Sequence, residues 1–374
     1  MRIGLNLLHA LPEIGGSWNY MANLLSALGQ YDDINTYVAF VTRVSERLAP
    51  AKPNFICVPI EIRSGSRVQR IFYENTMLQQ LARKHKLDCM HWFANTQAFI
   101  NTVPGVVTVY DLQPFFNFAN FSRVKRLYLR LMMSSTSRRA AILLPMSQAT
   151  ANDLQRVLKA NPARMVVIPP VLHSHFVPAA AEAMISFRTK YTLPEKFWLY
   201  VAHLYPHKNH LRLLRAYHQL KLSGATPWPL VLRGDPAGAE REVMETIAHL
   251  NLESDIIMLP RLNEVELPIL FSAATALVFP SLYEGGGIPV VEAMACGCPV
   301  IAADIPVVRE FAGDAASYFD PLEVEEIEKA MVTHQNNPEQ RAANRQAGLV
   351  RAEEFRSQQV VSKLLSAYRK GLER

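Results

Sequence analysis

Three side chains suited to a charged, hydroxyl-rich ligand stand at strand-to-helix turns: Lys208, Glu284 and Glu292. The run from Ala276 to Phe279 reads as a buried strand that stops at Pro280, and three consecutive glycines, 285 to 287, then let the backbone approach a ligand closely. Pro289 suits the first position of a helix, where a missing N–H costs nothing. Gly286, Gly287 and Ile288 would then present free amides and the positive end of a helix dipole to an anion. Glu284 lies in the loop before that helix and Glu292 in its first turn, so two carboxylates flank the amides, placed to bind hydroxyls. Lys208 sits in the turn Tyr205-Pro-His-Lys-Asn, where a mobile ammonium can neutralise a diphosphate. A polyhydroxylated group on a diphosphate is a nucleotide sugar.

The elements that must position these groups alternate. Strand-like runs at residues 2–8, 37–41, 55–60, 89–93, 106–110 and 141–146 are separated by helical segments, which predicts a parallel sheet covered on both faces. A second series begins at residues 197–204 and continues through 230–232, 256–259, 276–279 and 299–303. Pro169, Pro170, Pro178 and Pro194 with an Ala-rich patch mark the connection between the two. At 374 residues the chain is long enough for two cores. Early in the first half Gly15-Gly16 follows the first strand, and Ser17 is placed to cap a helix that carries Met21, Leu24, Leu25 and Leu28 at helical spacing. Alone this is a plain turn; beside the Glu284 to Glu292 stretch it is read as a phosphate contact through Gly16. His9, at the end of the first strand, reads as a satisfied core histidine, with a role facing a ligand as the alternative.

The stretch around Glu284 resembles the signature of the family 4 glycosyltransferases, in which Glu-x7-Glu follows Pro-Ser-x-x-Glu-Gly and runs into Glu-Ala-Met-Ala-x-Gly-x-Pro-Val. The resemblance implies an α/β GT-B fold: two Rossmann-like domains facing each other across a cleft, residues 1–175 binding an acceptor and 176–355 the nucleotide sugar, with a C-terminal helix, 356–374, returning to the first domain. It implies that Glu284 touches the donor sugar, Glu292 holds the ribose hydroxyls, Lys208 and Gly16 meet the phosphates, and Arg261 and Leu262 lie against the nucleobase. Three positions depart from the pattern. Tyr110 stands where the strand ending His-Asp-Leu-x-Pro has its histidine, His203 falls where an arginine often accompanies the lysine, and Gly286 replaces an aromatic residue. Asp111 is retained and is read as an acceptor-side or catalytic group, or else as a turn-capping aspartate. The implied activity is retaining transfer of a hexose from GDP-mannose or a UDP-hexose to a glycan, lipid-linked and used in surface polysaccharide, with no metal or other cofactor required. A sugar-nucleotide epimerase of the same architecture and a degenerate, non-catalytic membrane-associated binding protein are the alternatives.

Composition narrows the rest. No apolar run reaches the roughly 18–20 residues that span a bilayer, and the N-terminus reads as a first strand rather than a signal peptide, so a cytosolic, soluble or peripheral protein is expected. Cys57, Cys89, Cys296 and Cys298 lack zinc spacing and read as reduced core thiols. His173 and His175, and the group His203, His207 and His210, are not expected to hold a metal. Residues 1–175 carry 19 Lys and Arg against 9 Asp and Glu, whereas the remainder carries 20 against 24, so an anionic partner is expected for the first half. Residues 121–139 hold six basic and no acidic side chains, with Arg123, Lys125, Arg126 and Arg130 interleaved with Phe, Tyr, Leu and Met. That pattern suits an anionic membrane surface; a solvated helix whose apolar side is core is the alternative. No nucleic-acid recognition motif accompanies the charge.

Overall fold

The computed structural model describes residues 1–12, 16–63, 65–116, 121–224 and 226–373. Two compact units divide them: the described residues up to 116, 121–173 and 355–373 belong to the first, and those of Ser174–Glu354 to the second. The closing helix Ser357–Leu372 is thus part of the first unit.

In the first unit the strands are β1 (Arg2–Asn6), β2 (Thr36–Val41), β3 (Phe55–Pro59), β4 (Cys89–Trp92), β5 (Gly105–Val109) and β6 (Ile142–Pro145). They form one parallel sheet in the order β3-β2-β1-β4-β5-β6. In the second unit β7 (Trp198–Val201), β8 (Leu230–Arg233), β9 (Ile256–Leu259), β10 (Ala276–Phe279), β11 (Val300–Ala303) and β12 (Ala316–Phe319) follow the order β12-β11-β10-β7-β8-β9. Counted from each unit's own first strand, the two orders are identical, the doubly wound Rossmann arrangement. Strand β12, Ala-Ser-Tyr-Phe, carries too little apolar patterning to be read from sequence, and only its pairing with β11 defines it.

Central strands in such sheets are covered on both faces and therefore read as continuous apolar runs. The inner strands β5, β10 and β11 are buried at every residue, and so is the edge strand β6. The edge strand β3 is buried only at Phe55, and Cys57 on it is exposed, contrary to the expectation that all four cysteines lie in cores. The other three are buried, and burial pushes the Cys89 and Cys298 thiols up to about 12.

Helix Gly16–Tyr31 buries Met21, Leu24, Leu25 and Leu28 as the spacing predicts. It begins one residue ahead of Ser17, so Ser17 lies within its first turn and does not precede it as a cap; Gly15 lies outside the described residues. The same helix packs against Ser357–Leu372, which crosses the sheet at β4, β5 and β6. A buried polar chain fixes that crossing. His91 on β4 sits 2.7 Å from the Tyr368 hydroxyl through Nδ1 and 2.8 Å from the Thr108 hydroxyl through Nε2. Burial holds the His91 pKa down to about 3, so the neutral ring gives one hydrogen bond and takes the other.

Tyr368→Phe leaves one His91 nitrogen buried and unpaired, and should cost about 1–3 kcal/mol in urea denaturation. Unchanged stability would show that the closing helix is held by apolar packing alone.

Candidate functional site

In the second sheet β7 and β10 are neighbours, yet the chain leaves β7 toward β8 and leaves β10 toward β11 on the other side. Loops from the carboxyl ends of two such strands part, and open α/β sheets bind ligands there. Lys208 comes from the first loop and Glu284 from the second, and the ammonium lies 2.6 Å from Glu284 Oε1. Both side chains are largely buried.

A polar frame holds the two loops in register. The Tyr200 hydroxyl donates to the Lys208 carbonyl at 2.7 Å, which uses its one proton, so Ser281 is the donor in the 3.2 Å contact between the two hydroxyls. Leu282 N–H donates to the His207 carbonyl at 2.8 Å. Asn209, in a left-handed conformation at φ 62°, donates from its amide to the carbonyls of Pro280 and Pro321 at 3.0 and 2.8 Å. The turn that carries Lys208 is therefore tied to both flanking loops, and only the end of the lysine chain is left to move.

The glycine run ends in a helix one residue earlier than Pro289 suggests. Gly287 is the cap residue, at φ +45°, which favours glycine; Ile288 is the first helical residue and Pro289 the second. Glu292 is consequently the fifth residue of helix Ile288–Ala295 and not in its first turn. It is 8% exposed, and burial pushes its carboxyl up to about 8. A carboxyl raised in this way accepts a proton readily and gains from any ligand hydroxyl that bonds to it.

His203 follows β7 and reaches the loop after β8. Its Nδ1 accepts the Asp235 N–H at 3.1 Å, which leaves Nε2 to carry the ring proton. Burial is the main force lowering its pKa, opposed by the Asp235 carboxylate, so it stands in the neutral form near pH 7. The residue at the arginine position thus supplies an N–H donor and not a fixed charge. Gly234 allows this approach, since a Cβ there would overlap the Ala202 carbonyl. Asp235 also takes Arg233 at 3.1 Å and lies 4.0 Å from Arg261, whose side chain is mostly exposed beside Leu262 after β9. Asp235 had no signal in the sequence beyond its turn. His207 stacks on Tyr205 and His210 packs against Tyr200, both with pKa values lowered by burial, to about 4 and about 3.

The first sheet has its own reversal between β1 and β4. His9 lies just past β1 and is 8% exposed, and burial holds its pKa near 3. The ring is buried as a core histidine would be; the Phe93 backbone carbonyl lies near enough to favour its protonated form, but neither nitrogen makes a hydrogen bond of good geometry among the described residues. Around it stand Arg70, whose charge acts on the ring, and Glu74, which is 3.7 Å from Arg70 and accepts from Asn6 at 2.9 Å. Glu74 escaped the sequence reading because only the fold brings its helix, Arg67–Asn75, to the end of β1. Tyr110 follows β5 with its hydroxyl buried and packs edge-on against Tyr20 at 5.4 Å. Asp111 accepts the Gln113 N–H at 2.9 Å, the turn-capping role weighed against an acceptor role. Gly16 opens the helix after β1, where a Cβ would meet no atom of the other described residues within 4 Å.

Two family models match the chain side by side. Glycosyltransferase Family 4 covers residues 14–176 and Glycosyl transferases group 1 covers residues 183–350. The chain belongs to the family 4 glycosyltransferases. It is 26% identical to O-antigen chain mannosyltransferase B of Escherichia coli over 65% of this chain and 64% of that one, so the match spans slightly less than two thirds of that relative. It is 25% identical to O-antigen chain mannosyltransferase RfbU of Salmonella typhimurium over 82% and 83% of the two chains. Among solved structures, sucrose-phosphate synthase from Thermosynechococcus elongatus superposes with a TM-score of 0.78 at 19% identity, over 99% of this chain and 98% of that one. That likeness is one of fold, and the fold is GT-B.

Above pH 4.5 the folded chain keeps on Glu292 a proton that the unfolded chain releases, so this group lowers stability as pH climbs toward about 8, with no further loss above. Glu292→Gln removes the slope. In urea melts the variant should gain on the wild type steadily between about pH 5 and about 8; parallel curves would contradict the burial of this carboxyl.

Proposed function

We propose that the chain is a retaining transferase that moves a hexose from a nucleotide diphosphate sugar to a glycan acceptor in surface polysaccharide synthesis, at the cytosolic face of a membrane. The observation that carries this reading is the meeting of Lys208 and Glu284 where the second sheet reverses. A diphosphate entering there exchanges the Glu284 carboxylate for its own oxygens as the partner of Lys208. Glu284 is then free to accept hydroxyls of the donor sugar. Two relatives named as O-antigen mannosyltransferases favour a mannosyl donor, GDP-mannose, over a UDP-hexose.

In this reading the bond from the sugar C1 to the diphosphate oxygen breaks while negative charge gathers on the departing phosphate. Lys208 and the amides of Gly286 to Ile288 would stabilise that charge, His203 contributes the N–H on Nε2, Glu292 takes the ribose hydroxyls, and Gly16 is proposed as a further phosphate contact. The acceptor oxygen attacks C1 on the same face, and its proton passes to the leaving phosphate. Arg261 and Leu262 lie against the base, and His9, Tyr110 and Asp111 serve the acceptor. No step calls for a metal ion.

Incubating the purified protein with GDP-mannose, UDP-glucose, UDP-galactose and their N-acetylated counterparts, with and without EDTA, tests this. One donor should be turned over, EDTA should leave the rate unchanged, and Lys208→Ala should lower kcat by about 10²–10³-fold. A thermal shift from one of them with turnover of none by the wild type would overturn this reading in favour of a non-catalytic binding protein.

A further inference from the structure

The end of β1 holds a polar group that the donor chemistry does not use. Helix Arg67–Asn75 brings Arg70 and Glu74, one turn apart, to Asn6 and His9. Tyr128, from helix Arg123–Arg139, lies where the charges of both act on its phenol. Three segments distant in sequence thus converge where the first sheet reverses, the place at which open α/β sheets take ligands.

Little of the bonding capacity of this group is spent. Glu74 takes one hydrogen bond, from the Asn6 amide to Oε1, and none reaches Oε2 among the described residues. Arg70 approaches the same Oε1 only to 3.7 Å, too far for a hydrogen bond, whereas Lys208 closes on Glu284 to 2.6 Å. The Arg70 Nε is buried without a hydrogen bond, and neither His9 nitrogen bonds with good geometry, among the described residues. The side chains of Arg70 and Glu74 are 24 and 13% exposed, so a ligand can reach both. Buried polar groups left in this condition cost stability until something completes them.

The chemistry of the set selects the ligand. A phosphate or carboxylate would gain Arg70 but meet the Glu74 carboxylate beside it, and a cation would gain Glu74 but meet the guanidinium. An apolar group would leave every polar atom without a partner. Neighbouring hydroxyls suit the whole set, because each gives one proton and accepts others. We infer that this group binds adjacent hydroxyls of an uncharged sugar, one donating to Glu74 and its neighbour accepting from Arg70, with the His9 ring turning to meet a third. On the transferase reading, on which the role of the site rests, that sugar is the end of the acceptor glycan. Acceptors ending in an acidic or phosphorylated sugar are then excluded by Glu74.

Saturation-transfer NMR of the full chain with methyl α-mannoside, methyl α-glucoside, methyl α-galactoside and methyl α-glucuronide tests the site. A neutral glycoside should bind and the glucuronide should not. Glu74→Gln should weaken the neutral glycoside about tenfold or more and admit the glucuronide to Arg70, an exchange that a purely structural role for Glu74 would not produce. His9→Leu should weaken the neutral glycoside about threefold or more while holding or raising the melting midpoint, and it decides the matter if Glu74→Gln does not fold. No binding of any neutral glycoside, equal binding of the glucuronide by the wild type, or undiminished binding by the folded variants would overturn the inference. The donor is read separately, by thermal shift with the nucleotide sugars. Glycoside binding without any donor shift counts against the transferase reading and leaves the sugar site standing; a donor shift without glycoside binding does the reverse.

Discussion

An ammonium and a carboxylate held 2.6 Å apart, in a place with little access to water, constrain everything else in the second unit. Burying two ions is costly, and their attraction repays that cost only when geometry is good and neighbouring groups are satisfied. The frame of Tyr200, Ser281, Asn209 and the His207 carbonyl meets this condition by tying three loops together around the pair. Strand order explains why the pair can exist, since Lys208 and Glu284 are distant in sequence but leave adjacent strands. An ion pair of this kind is also a reserve for ligand binding, because a phosphate can take the place of the carboxylate without desolvating the lysine anew.

The surrounding groups have unequal electrostatic roles. His203 brings a neutral N–H donor to the loops around Lys208, with the charge of Arg233 close by and paired to Asp235. Glu292 adds a carboxyl whose burial disfavours its charged form, which makes it a cost to folding and a gain to any hydroxyl it accepts from. Stability given up at such a position is characteristic of sites shaped for a ligand.

Much of this was legible from the chain alone. β5, β10 and β11 announce themselves as short β-branched runs, because strands covered on both faces need nothing but apolar residues; β12 does not, since two of its four residues are only partly covered. Lys208, Glu284 and the glycines were readable because turn chemistry is local. The depth of Glu292 was not, as it depends on a helix that begins at Ile288 and not at Pro289. The contact between His203 and Asp235 and the group of His9, Arg70 and Glu74 were likewise hidden, because they join segments that only the sheet order brings together. The exposed Val124, Leu127 and Leu131 of helix Arg123–Arg139 have the same periodicity as a core face, and burial alone separates the two.

The central claim is that Lys208 is shared between Glu284 and the donor diphosphate. Calorimetric titration of GDP and UDP into the wild type, Lys208→Ala, Glu284→Ala and the double variant measures that competition directly. Lys208→Ala should weaken binding about tenfold or more, as loss of a charge-assisted hydrogen bond of about 1.5–3 kcal/mol requires. Glu284→Ala should bind the nucleotide more tightly than the wild type, because the lysine no longer has a protein partner, and the double variant should show no such gain. Equal affinities across all four proteins would contradict the account and move the diphosphate away from this pair.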